Sequence, residues 1–258
     1  MRRLAGSLLL CAILALPVPS RAGSDADNAC GAPDEFLTAN STLGQLAAAI
    51  AVGAPIDVLA IGSATTVGSI TVAGKETIAA QGASFPWQMI RTLNAALPGV
   101  QFRVEVRGGR GMTAEDMLPL LEAALKQRHY PLVLWQTGTV EAVRGLRPDR
   151  MLEVLHAGAE RVRDAGGDLV LIDPQFSRFL RANTDLDPYE NVLQQVATMP
   201  GVALFRRFDL MRAWANDSGI DLERTPKADR EGALEQLNHC LGQALALFVL
   251  SGADVQKK

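Results

Sequence analysis

A chain of 258 residues that is 48% hydrophobic can bury the core of one α/β domain. Its 25 basic and 28 acidic side chains leave a formal charge of −3, against the basic excess that marks a nucleic-acid binder. Beyond the amino terminus no stretch is apolar for the ~20 residues that a bilayer span needs.

The chain begins with Arg2 and Arg3, an apolar stretch over 8–18, and Pro19-Ser20-Arg21-Ala22, a small-x-small cleavage site. This pattern predicts a cleavable export signal over 1–22 and a periplasmic or secreted mature protein. No full twin-arginine motif follows Arg3, and Cys11 has no lipobox around it. Residues 23–34 form a small, polar arm. After it the pattern predicts helix 35–52, strand 56–61, a long loop 63–84, helix 85–97, strand 100–106 and helix 114–126. Strand 132–136, helix 148–165, strand 169–172, helix 189–198, strand 202–205, helix 208–216 and helix 233–250 follow. Residues 252–258 read as a tail. Short aliphatic strands alternating with amphipathic helices mean one domain, over 35–251, with a parallel sheet covered on both faces. Loops 63–84 and 216–232 flank the presumed site edge of that sheet.

The segment IDVLAIGSATTVGS, 56–69, is a buried-strand run breaking at Gly62 into a polar turn. It resembles block I of the SGNH (GDSL-type) hydrolases, in which the serine closing a Gly-Asp-Ser or Gly-Ser-Ser turn attacks an ester. On that pattern Gly62 is the glycine, Ser63 the middle residue, and Ala64 stands at the nucleophile position. VEVRGGRGMTAEDM, 104–117, is similar to block II, with Gly108 on the oxyanion-hole glycine. Thr113 is placed to cap the next helix, with Asp116 completing a capping box. LVLWQTGTVE, 132–141, resembles block III through Gly138 and Thr139, but Val140 replaces its asparagine. In block V, Asp229 fits the acid and Gly232 falls where the histidine belongs, a register resting on Cys240-Leu241-Gly242 in the final helix. LIDPQF, 171–176, and LFRRFDLMRAW, 204–214, agree with exported members. The resemblance covers about 30–249 and implies a three-layer α/β/α sandwich with about five parallel strands.

Can another group replace the missing serine? Ser63, Thr65 and Thr66 carry hydroxyls, but such residues in a turn ordinarily bond the turn's own backbone. A serine also needs a base, usually histidine held by a carboxylate. The chain has three histidines. His129 precedes a strand at the far edge, and His156 reads as a structural residue within a helix. His239 is the fallback base, although helical spacing turns it away from the stripe of Leu234, Leu237, Leu241 and Phe248. Asp229, Asp173 and Glu141 read first as turn or capping carboxylates. Arg107 and Arg110 beside the Gly108–Gly111 turn, and the cluster Arg206, Arg207 and Arg212, read first as solvated. No ligand spacing points to a metal, and no phosphate-binding or dinucleotide fingerprint points to a cofactor.

Cys30 and Cys240 are the cysteines left after signal removal. In an oxidising compartment they are most simply a disulfide, with two separate buried thiols as the alternative. Two functional readings follow. In the first, the old hydrolase cleft has lost catalysis and binds an acylated carbohydrate, another envelope molecule or an envelope protein. In the second, a rearranged constellation using Ser63 and His239 keeps ester hydrolysis.

Overall fold

The computed structural model describes residues 29–72, 75–78 and 83–255. The expected export signal, most of the arm and the end of the tail lie outside them. In chain order come α1 (Asp34–Leu37), α2 (Gly44–Val52), β1 (Ile56–Gly62), α3 (Ala64–Val67), β2 (Ser69–Val72), β3 (Lys75–Ile78) and α4 (Phe85–Ala96). Then follow β4 (Phe102–Gly108), α5 (Ala114–Gln127), β5 (Leu132–Gln136), α6 (Thr139–Arg144), α7 (Pro148–Asp164) and β6 (Asp168–Ile172). The chain continues through α8 (Arg178–Asn183), α9 (Asp187–Val196), β7 (Val202–Phe205) and α10 (Arg207–Ala213). A π-helical turn at Trp214–Ser218, a short 3₁₀ turn at Lys227–Asp229 and α11 (Arg230–Gly252) complete it.

Five strands form one sheet in the order β4-β1-β5-β6-β7, and every pairing is parallel. The strands are aliphatic on both faces because both faces are covered. Leu59, Ile61, Val133, Trp135 and Leu171 point into a core shared with α5, α7 and α9. Val58, Ala60, Leu134, Val170 and Ile172 point into the opposite core, shared with α4 and α11. The expected three-layer sandwich with five parallel strands is therefore present.

Several boundaries differ from the sequence reading for local reasons. The helix expected over 35–52 divides into α1 and α2. In the gap Asn40 Oδ1 accepts the Leu204 N–H at 2.9 Å, and the Leu43 N–H reaches the Gly252 carbonyl at 2.8 Å. Side-chain acceptors such as Asn compete with the helical ladder, and tertiary bonds settle the outcome here. The loop expected over 63–84 contains α3 and an antiparallel hairpin, β2–β3. α11 begins at Arg230, three residues before the expected start, and so takes in Gly232.

Cys30 and Cys240 are joined in a disulfide with Cα atoms 5.6 Å apart. Cys240 is fully buried on α11, so the bond fastens the amino-terminal arm to the core helix. Among the described residues no helix is long and apolar enough to cross a membrane.

Candidate functional site

The sheet order reverses at β1: the next strand of this sheet in sequence, β4, lies on one side and β5 on the other. Such a switch point opens a crevice at the carboxyl ends of the strands, the usual ligand site of an open α/β sheet. Here the crevice brings the turn after β1 against the last residue of β5. Gln136 Oε1 accepts from the Ser63 N–H at 3.2 Å, the Ser63 hydroxyl at 3.1 Å and the Thr66 hydroxyl at 3.0 Å. The Thr65 hydroxyl points at the same oxygen from 3.4 Å.

Two glycines make this turn possible. A Cβ at Gly62 would lie 2.1 Å from Thr66 Oγ1. Gly108, paired with Gly62 in the β1–β4 register, has φ +122°, and a Cβ there would lie 2.0 Å from the Gly62 carbonyl oxygen. Only glycine fits at 108 without moving the Gly62 backbone, and at 62 without displacing the Thr66 side chain.

The wall after β5 is held by Glu141, which is buried and satisfied. It accepts from Gly138 N–H at 3.0 Å, the Thr137 hydroxyl at 2.8 Å and Ala114 N–H at 2.5 Å. It therefore ties the start of α5 to the β5 turn. Thr113 and Asp116 cap that same helix reciprocally, as expected, at 3.2 and 2.9 Å.

Arg207 enters from β7. It opens α10 and is only 1% exposed, in contrast to the solvated position read for it from sequence. The neighbouring Arg206 and Arg212 do reach the surface, where both pair with Asp209. Arg207 Nη1 donates to Thr65 Oγ1 at 3.2 Å, while its Nε and Nη2 are buried with no hydrogen-bond partner. Asp173, at the end of β6, accepts the Phe208 N–H at 2.9 Å. Burial pushes the Asp173 carboxyl up to about 8, outweighing the attraction of Arg207. Burial also lowers Arg207, to about 10, which still leaves the guanidinium charged at neutral pH.

A cleft of about 450 Å³ lies over this turn, lined among others by Ala64, Thr65, Gln136, Thr139, Val140 and Arg207. A narrower pocket of about 150 Å³ shares Ala64, Thr65, Gln175 and Arg207 with it. That pocket runs between the start of α4 and the first turns of α11, where Glu231, Leu234, Glu235 and Asn238 form its wall.

The profile of the Non-GDSL lipase-like family matches residues 29–255, which spans all the described residues. The chain belongs to this family. No curated protein sequence matches it. Among solved structures, a catalytic mutant of Axe2, an acetylxylan esterase from Geobacillus stearothermophilus, is similar with a TM-score of 0.58 and 17% identity. That match covers 78% of this chain and 95% of the other. LAE5, an alpha/beta hydrolase enzyme from the metagenome of Lake Arreo, Spain, gives 0.55 and 17%, covering 78% and 95%. TesA gives 0.50 and 20%, covering 72% and 97%. At these identities the likeness establishes the shared fold, the SGNH-type α/β sandwich.

In this Non-GDSL lipase-like chain the structure gathers some of the sequence-predicted positions and leaves others apart. Ala64 and Val140 line one cleft, and Gly108 faces Gly62 at the adjacent strand end. Asp229 is exposed at the N-cap of α11 with no side-chain capping bond. Gly232 is exposed in the first turn of α11, with nothing within 4 Å of an added Cβ. It does not line either cleft described above, whereas its neighbour Glu231 does. His239 is exposed, His156 is half-buried on α7, and His129 faces solvent against the Ala165 carbonyl at 3.0 Å. None of the three histidines lines either cleft. Ser63 is spent on Gln136.

Sequence reasoning overlooked Gln136 and misplaced Arg207. Each is a polar residue at or just beyond the carboxyl end of a buried parallel strand, which is the signal that could have marked it.

Proposed function

We propose that this protein is an exported, non-hydrolytic member of its family whose cleft binds a ligand and does not cleave it. The observation carrying this reading is Ala64: a methyl group occupies the turn at the switch point, and no histidine lines the cleft around it. The hydroxyls beside it, Ser63 and Thr65, are directed at Gln136 Oε1, an amide oxygen that cannot serve as a base near neutral pH. Val140 offers no donor where an oxyanion-hole asparagine would stand. The ligand we propose is an acylated carbohydrate or another small molecule of the cell envelope. The Cys30–Cys240 bond and the charged, apolar, small-residue order of residues 1–22 support export.

The test is an assay of the purified protein on short-chain aryl esters, with a fluorophosphonate probe for activated serine. We expect neither turnover nor labelling. Ordinary esterase rates with a labelled Ser63, lost in Ser63→Ala or His239→Ala, would establish the rearranged hydrolase instead.

A further inference from the structure

The larger cleft carries three arginines, Arg110, Arg144 and Arg207, and among the described residues that line it there is no aspartate or glutamate. Two of its polar groups are also left without partners. One is the Thr139 hydroxyl, and the other is the Nε–Nη2 edge of Arg207. That edge is a planar two-donor fork, the geometry that matches a carboxylate bidentately. Its third nitrogen is already fixed by Thr65 at 3.2 Å, which holds the fork in place. Asp173 lies close enough for its charge to act on Arg207 but makes no hydrogen bond with this edge, its Oδ1 accepting the Phe208 N–H. The narrower pocket, which shares Arg207, adds Phe85, Met211, Leu234 and Leu237 for an apolar body, and its two carboxylates, Glu231 and Glu235, belong to the exposed first turns of α11.

We infer that the cleft takes an organic carboxylate, with its head on the Arg207 fork and its apolar body in the pocket against α4 and α11. This rests on the reading that the cleft binds without cleaving, and it names the ligand chemistry. Arg110 and Arg144 at the mouth would draw the anion in, so affinity should fall with salt.

Calorimetric titration of the purified protein with octanoate, octyl phosphate and the neutral octanamide tests it. Octanoate should bind at least about tenfold tighter than octanamide, the range expected of a charge-assisted bond. Arg207→Met should remove that preference. Leu234→Trp, which fills the pocket and leaves Arg207 in place, should weaken octanoate by about tenfold or more, so the inference stays testable if Arg207→Met does not fold. Equal binding of octanoate and octanamide would overturn it, as would unchanged octanoate affinity in either variant. Octyl phosphate preferred over octanoate would overturn the carboxylate assignment. Ester turnover is recorded on the same samples. Turnover together with octanoate preference would sink the non-hydrolytic reading alone, and no turnover without preference would sink this inference alone.

Discussion

Gln136 holds Ser63 by both of its donors, the backbone N–H at 3.2 Å and the hydroxyl at 3.1 Å, so one strand's last side chain fixes the turn of another. Thr66 adds a third buried donor to the same oxygen. Replacing Gln136 by leucine keeps the volume and removes the acceptor, leaving several buried donors unsatisfied. Each unsatisfied group costs about 1–3 kcal/mol. With partial relaxation of the turn, Gln136→Leu should lower stability by roughly 2–4 kcal/mol and Tm by roughly 5–12 °C. Thermal unfolding by circular dichroism checks this. A Tm unchanged within a degree or so would show that the turn stands without Gln136.

Asp173 gives the protein a definite pH dependence. Burial raises its folded pKa to about 8, above the usual ~3.9 of an unfolded aspartate. Between those values the folded state holds a proton that the unfolded state has released, so this contribution to stability falls as pH rises. The contribution is complete below about pH 4 and gone above about pH 8, with a slope of up to ~1.4 kcal/mol per pH unit. Asp173→Asn keeps an oxygen for the Phe208 N–H and removes the titration. The difference in unfolding free energy between wild type and Asp173→Asn, measured from pH 5 to 8, should move steadily in favour of the variant. A constant difference would mean that Asp173 is ionised throughout, paired with Arg207.

The disulfide supports the fold through the unfolded chain as well as through packing. Its sequence separation is 210 residues, and in the chain-entropy model a loop of that order is worth ~5 kcal/mol, often less in practice. The double variant Cys30→Ser with Cys240→Ser should therefore unfold at clearly lower denaturant, with the midpoint shift larger than for any single surface change. Peptide mapping without reductant should show the cross-link in the wild type. Two free thiols in exported material would contradict the bond.

The strands were legible because each is a short aliphatic run with no competing periodicity: β5 and β7 fall where the pattern placed them. The disulfide was legible because Cys30 and Cys240 are the cysteines that remain once the expected export signal, with Cys11, is removed, and two cysteines have one pairing. The cleft was legible as a place, through the breaks at Gly62 and Gly138, but not as a set of contacts. Arg207 is the second of two consecutive arginines between Phe205 and Phe208, where neither a 3.6-residue nor a 2-residue period says which arginine turns inward. Which one is buried depends on where β7 ends and α10 begins, a boundary set by the Asp173 bond to the Phe208 N–H. Gln136 was passed over because its partners are some 70 residues away in sequence, at separations of 70 to 73. The offset in α11 has the same origin. Spacing from Cys240 fixed Gly232 along the chain, but the face presented to the pocket, Glu231, Leu234, Glu235 and Asn238, follows from how the helix is rotated by its packing on α4.

That offset leads to the prediction on catalysis. Ala64→Ser alone should give almost no ester hydrolysis, because a serine without a base is a weak nucleophile near pH 7. A histidine must also be added, and the structure distinguishes two places for it. Gly232 has open space around it but does not line the pocket, while Glu235 does. Ala64→Ser with Glu235→His should therefore exceed Ala64→Ser with Gly232→His in kcat/KM on a short-chain aryl ester. Adding Val140→Asn to the better pair should raise the rate further, by up to the ~10²–10³ that one oxyanion donor supplies in a well-formed site. A unit smaller than a full triad shows strongly non-additive kinetics, so each serine variant is compared with its own alanine control. Equal or greater activity from the Gly232→His pair would restore the register read from the Cys240 spacing. It would mean that the first turn of α11 unwinds to bring position 232 over Ala64.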